Sequence, residues 1–144
     1  MEYYIGNITP NKNVVFVFGS NPEGRHGKGA AYIAKRYFGA KYGQGEGLQG
    51  NSYALPTKDL RVKKNGGFKS ISPSNIVESI KKLYEVARSN PDKKFMIAYR
   101  NTKEKSLNGY TGYEMINMFC KAGKIPENII ISKEWYDTKL MENK

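Results

Sequence analysis

Residues 14–31 read VVFVFGSNPEGRHGKGAA, and the succession of residue types along this stretch decides the fold. Residues 14–18 form a continuous apolar run, too short for a helix and made only of valine and phenylalanine. Such a run reads as a strand buried on both faces, as in the middle of an α/β sheet. A turn-rich segment follows, with several glycines, Asn21, Arg25 and the only histidine of the chain, His26. Residues 28–38 (KGAAYIAKRYF) then place Ala31, Ile33, Ala34 and Phe38 near helical spacing, and Gly39 closes that helix as a C-terminal cap.

Working outward, residues 2–5 (EYYI) predict a short first strand before the turn segment NITPNKN. Downstream, GAKYGQGEGLQG holds five glycines in twelve residues and is expected to be too flexible for a regular element. Tyr53 to Leu55 read as a short strand stopped by Pro56. Residues 60–71 are basic, and a two-strand excursion round Asn65-Gly66-Gly67 is one reading of them. The clearest helix follows: Ser72 at the N-cap, Pro73 at the first helical position, an apolar stripe of Ile76, Ile80, Leu83 and Ala87, and a stop at Asn90-Pro91. Residues 93–100 (KKFMIAYR) predict another buried strand, GYEMINMFCKAG a helix with Thr111 as N-cap, 128–131 a last strand, and EWYDTKLMENK a terminal helix.

Strands and helices alternate, with no repeat, linker or low-complexity block. The expectation is a single α/β domain over residues 1–144, with a mixed, mostly parallel central sheet. In such sheets ligands bind beyond the carboxyl ends of the strands. The glycine-bearing loops after Phe18 and after Tyr99 both follow predicted strands and precede predicted helices, so they are expected on one rim.

Composition narrows the function classes. The chain has 144 residues and 24 Lys and Arg against 13 Asp and Glu, a formal charge of +11, which attracts anions such as nucleotides or nucleic acid. No run approaches the roughly 18 to 20 apolar residues of a membrane span. The opening MEYYIGNITP has an acid and no apolar h-region, so neither a signal nor a transit peptide is expected, and a cytoplasmic location is the default. Cys120 is the only cysteine, which excludes an internal disulfide, and no Cys/His cluster has metal-ligand spacing, so neither metal nor cofactor is expected.

The first loop suits a pyrophosphate, because glycines admit close backbone approach and N–H groups opening a helix face an anion. It is neither a Walker loop nor a G-x-G-x-x-G fingerprint. A tight turn needing glycine for positive φ is the alternative. His26 has a side chain that titrates near neutrality, yet no second histidine or assignable carboxylate stands with it. Asn21 either caps a turn or bonds a ribose hydroxyl or a water. Glu46 is the only carboxylate of the second glycine run. Residues 108–113 (NGYTGY) offer backbone for phosphate and tyrosines for stacking, or a turn and helix cap. Eleven tyrosines among many lysines also suit a single-strand nucleic-acid binder, the second class of partner, although most tyrosines fall at strand or helix positions.

Residues 15–40 (VFVFGSNPEGRHGKGAAYIAKRYFGA) and 43–59 (GQGEGLQGNSYALPTKD) together resemble the small macrodomain-like proteins of bacteria and bacteriophages, relatives of the ADP-ribose-binding macrodomains. Residues 94–119 and 125–132 look similar to that group's third motif and last strand, so the resemblance covers about 13–132. It implies a three-layer α/β/α fold with a cleft for ADP-ribose or a related nucleotide. Asn21 matches the asparagine that approaches the distal ribose; Gly27, Lys28, Gly29 and Ala30 match the first diphosphate loop; Gly109, Tyr110, Thr111 and Gly112 match the second. Thr57 and Lys58 fall at the cleft floor or wall. The chain departs from the common pattern at "GSN", at "HGKGAA" and at Tyr99, Arg100 and Asn101, and Ser20, Arg100 and Asn101 are carried as ligand-binding candidates at those places. The family includes binders, hydrolases of ADP-ribosyl linkages and phosphatases of ADP-ribose 1''-phosphate. Asn21, His26 and Glu46 are the candidates for positioning water or moving a proton, and plain sequestering of a nucleotide fits equally well.

Overall fold

The computed structural model describes residues 2–21, 24, 29–59, 69–100, 102–105 and 109–142. Its elements are β1 (Tyr3–Tyr4), β2 (Val14–Ser20), α1 (Gly29–Tyr37), β3 (Gly47–Gln49), β4 (Ser52–Pro56), β5 (Lys58–Asp59), β6 (Lys69–Ser70), α2 (Pro73–Ser89), β7 (Lys94–Ile97), α3 (Gly112–Lys121), β8 (Ile129–Ser132) and α4 (Lys133–Glu142). Six strands form one sheet in the order β1-β8-β7-β2-β4-β3, and β5 and β6 form a separate antiparallel pair. All neighbours in the large sheet are parallel except β3 and β4. The protein is therefore α/β with a mixed, mostly parallel sheet, as expected.

β2 is the strand that the opening run predicts, with β7 on one side and β4 on the other. Because side chains alternate along a strand, its residues divide between two cores. Val15 and Val17 join a cluster with Ile76, Ile80, Leu83 and Ala87 of α2 and Met115 and Phe119 of α3. Phe16 and Phe18 join a second cluster with Ala31 and Ala34 of α1 and with Phe38. The Phe16 and Phe38 rings stack at 4.4 Å, and the two alanines let α1 lie close to the strands.

The N-terminus of α2 is built as its sequence predicts: the Ser72 hydroxyl accepts from the Asn75 amide at 3.4 Å and Pro73 opens the helix. At its other end the Asn128 amide donates to the carbonyls of Ala87, Asn90 and Lys93 at 2.8, 3.1 and 3.0 Å, tying the helix exit to the start of β8. One expectation needs correction. The glycine-rich segment contains β3, whose backbone pairs with β4 and whose Gln49 side chain accepts from the Lys41 amide at 2.7 Å. Tyr53 to Leu55 lie in β4, and the strand stops at Pro56 as expected, its last residue standing opposite Ser20. The two-strand excursion exists at its base as β5 and β6, while Asn65-Gly66-Gly67 lies outside the described residues. Among the described residues no helix is long and apolar enough to cross a membrane.

Candidate functional site

Parallel pairing of β8, β7, β2 and β4 sends their carboxyl ends to one edge of the sheet. At the end of β2, Ser20 is buried and its hydroxyl donates to the Gly45 carbonyl. Its carbonyl accepts from the Thr57 amide at 3.0 Å, which fixes β2 to the end of β4. Asn21, only 1% exposed, begins a turn in which its carbonyl accepts from the Gly24 amide at 2.9 Å. Gly24 has φ +69°, and a Cβ there would stand 2.3 Å from the Gln44 nitrogen. The Gly43 amide donates to the Gly24 carbonyl at 2.9 Å. Gly24 is thus held backbone to backbone against the segment before β3, an approach only glycine permits.

Thr57 is also buried, and its hydroxyl lies 3.4 Å from the Tyr99 hydroxyl. The Tyr99 ring follows β7 and stacks on buried Trp135 of α4, with centroids 5.8 Å apart and planes 12° off parallel. Trp135 is positioned by its amide, which donates to the Ser132 hydroxyl at 3.2 Å where β8 passes into α4. Tyr99 fills the space above Gly19, so it is a central residue of the rim that the sequence reading did not select as a site residue. A glycine inside a buried strand was the available signal, since it marks a close approach by another group.

The third loop ends in a capping box. The Glu114 amide donates to the Thr111 hydroxyl at 3.1 Å, and the Thr111 amide donates to the Glu114 carboxylate at 2.9 Å. These bonds hold the Glu114 carboxyl below its ordinary pKa. Gly109 has φ +87°, and Gly112 is buried as the first residue of α3. The Tyr110 hydroxyl donates to the Ile71 carbonyl, and the Ile71 amide donates to the Thr57 carbonyl at 3.0 Å. Tyr110 therefore anchors the loop to the exit of β4, with its hydroxyl committed inside the protein.

Of the sequence-selected residues, Ser20, Asn21, Thr57, Gly29, Ala30, Gly109, Tyr110, Thr111 and Gly112 all fall on this rim, with Gly29 (φ +59°) opening α1. Glu46 is exposed just before β3, and its charge adds to the burial that raises Tyr53 to about 12. Arg100 faces β1 and α4: its guanidinium lies 3.9 Å from the Glu134 carboxylate and 5.9 Å from the Tyr4 ring centroid. His26, Gly27, Lys28 and Asn101 lie outside the described residues. The buried polar side chains among the described residues are Ser20, Asn21, Gln49, Ser52, Thr57 and Ser132, all of them neutral. Such a set donates and accepts hydrogen bonds but supplies no buried acid or base. Among the described residues no group of three or more His, Cys, Asp or Glu is placed to hold a metal ion.

No protein-family model matches the chain, and a search of curated proteins returns no significant match.

Proposed function

We propose that this chain is a macrodomain-like, three-layer α/β/α protein that binds ADP-ribose or a related ADP-ribose-derived nucleotide at the carboxyl rim of its sheet. One observation carries the reading. The neutral hydrogen-bonding residues Ser20, Asn21 and Thr57 share a rim with the N-termini of α1 and α3, each entered through a glycine of positive φ, Gly29 and Gly109. Helix N-termini attract phosphate, while hydroxyl and amide groups suit ribose hydroxyls and a base edge. The +11 charge of the chain favours an anionic ligand.

Binding is the first part of the reading, supported by the neutral hydrogen-bonding groups buried at the rim among the described residues. Hydrolysis as an ADP-ribosyl hydrolase or phosphatase is the further part of the reading, with Asn21, His26 and Glu46 as its candidates. Calorimetry with ADP-ribose and ADP-ribose 1''-phosphate tests the binding. Asn21→Ala is expected to weaken it about tenfold, the loss of one to two hydrogen bonds. Gly29→Glu is expected to abolish it by placing a carboxylate at the helix start, with circular dichroism confirming the fold. Failure of the wild-type protein to bind either ligand overturns the proposal. Prolonged incubation followed by chromatography separates the two activities: intact ligand identifies a sequestering protein, and cleaved ligand an enzyme.

A further inference from the structure

α1 buries Ala31 and Ala34 and turns Tyr32, Ile33, Lys35, Arg36 and Tyr37 outward, all five exposed. An outward helix face is ordinarily polar, yet here Tyr32 is 47% and Tyr37 58% exposed, and Tyr42 beyond the helix is 66% exposed. The tyrosines recur at every fifth position, and basic side chains stand between them. The Lys35 ammonium lies 5.3 Å from the Tyr42 ring centroid. The Arg36 guanidinium lies 5.6 Å from that of Tyr37, and its Nε donates to the Tyr37 hydroxyl at 3.2 Å. Residues 24–45 contain Arg25, Lys28, Lys35, Arg36 and Lys41 and no aspartate or glutamate. By contrast the exposed face of α2 mixes both signs, with Glu78 and Lys81 paired at 3.1 Å.

From this placement we propose that the outward face of α1, extended by Tyr42, is a docking surface for single-stranded nucleic acid, separate from the rim. Unpaired bases stack on tyrosine rings and the phosphates meet the interleaved cations, a combination that holds single strands with little sequence preference. Each of these exposed cations takes one face of its ring and leaves the other for a base. Charge complementarity selects this occupant: between Glu23 and Glu46 the chain carries only basic charges, which attract a polyanion and repel a second copy of the same face. Lys35, Arg36, Tyr37 and Tyr42 lie outside the rim set, so the surface stands or falls independently of nucleotide binding there.

Fluorescence anisotropy with a labelled oligothymidylate of about 20 nucleotides, long enough for several stacked bases, tests the surface. The expected result is binding that weakens steeply with salt and persists in saturating ADP-ribose. Lys35→Glu combined with Arg36→Glu should lower affinity at least about tenfold through lost phosphate contacts. Tyr37→Ala and Tyr42→Ala should each lower it about fivefold, while Tyr42→Phe, which keeps the ring, stays near wild type. Lys82→Glu on α2 controls for net charge and should change affinity less than about twofold. The proposal is overturned by absence of binding at low salt, by tyrosine variants that bind like wild type, or by an equal loss in Lys82→Glu. It is also overturned by displacement with ADP-ribose, or by tyrosine-dependent binding to phosphatidylserine vesicles in place of the oligonucleotide.

Discussion

At Gly19 a Cβ would stand 2.1 Å from the Tyr99 hydroxyl oxygen and 2.9 Å from the ring carbon that bears it. The ring occupies the volume a side chain would need, and it is backed by Trp135, which cannot yield without disturbing the core. Gly19→Ala is expected to destabilise the fold by about 1–3 kcal/mol, the usual cost of overpacking. Urea unfolding of Gly19→Ala, Tyr99→Leu and the double variant should show the two changes to be strongly non-additive, with part of the Gly19→Ala loss recovered once the phenol is gone. Additive losses would mean that the two residues do not share this space. A glycine in a strand announces a close approach, but the identity of the visitor is fixed only when β7 lies beside β2. For the same reason Asn21 was readable as a rim residue from its place after the strand, whereas the orientation of Arg100 toward Glu134 and Tyr4 depends on α4 and β1.

The helices were the most legible elements, because their ends are written locally. Ser72-Pro73 and Thr111 are signals contained within one turn of chain, and the structure adds Glu114 to the second. The two caps differ in quality: the Thr111 box makes reciprocal bonds of 2.9 and 3.1 Å, whereas Ser72 makes a single capping bond, of 3.4 Å to the Asn75 amide. Thr111→Ala should therefore cost about 1–2 kcal/mol and Ser72→Ala about 0.5 kcal/mol, as measured by thermal unfolding. Glu114 adds a pH dependence whose sign follows from its lowered pKa. Its contribution is fully present above the ordinary value of 4.5 and is lost as pH falls through the folded value below that. The stability gap between wild type and Glu114→Ala should accordingly narrow in acid, and a gap that is constant with pH would exclude the carboxylate as its source. β3 was illegible for the opposite reason. Its residues have poor strand propensity, and its pairing is imposed by β4 and by the bonds of Gln49, a case of tertiary context overriding local preference.

For the whole molecule, the alternation of strands and helices was enough to place two glycine loops at one edge, because parallel strands share a direction. The separation of rim from outer α1 face was not legible, since it depends on which helical residues the second core takes up. The cores also set an alkaline limit. Burial raises Tyr53 to about 12 and raises Tyr4 and Tyr84 as well. These phenols stay neutral in the fold while their unfolded counterparts ionise near 10. Stability from them is fully present below pH 10 and declines as pH rises beyond it toward the folded values. Melting temperature is expected to fall steeply above pH 10, and less steeply in Tyr84→Phe, which also gives up the 2.6 Å bond to the Phe119 carbonyl.

β1 pairs in parallel with β8, Tyr3 opposite Ile131 and Tyr4 opposite Ser132, and the Tyr3 ring lies 4.7 Å from that of Tyr136 in α4. The first strand in the element order thus finds its place only against the last strand and the helix that follows it. During synthesis the early strand must wait, and the β8 edge of the nascent sheet stays open until Tyr3 and Tyr4 close it. Anything fused ahead of β1 is carried to the flank of α4, so a reporter attached there would sense the final step of assembly.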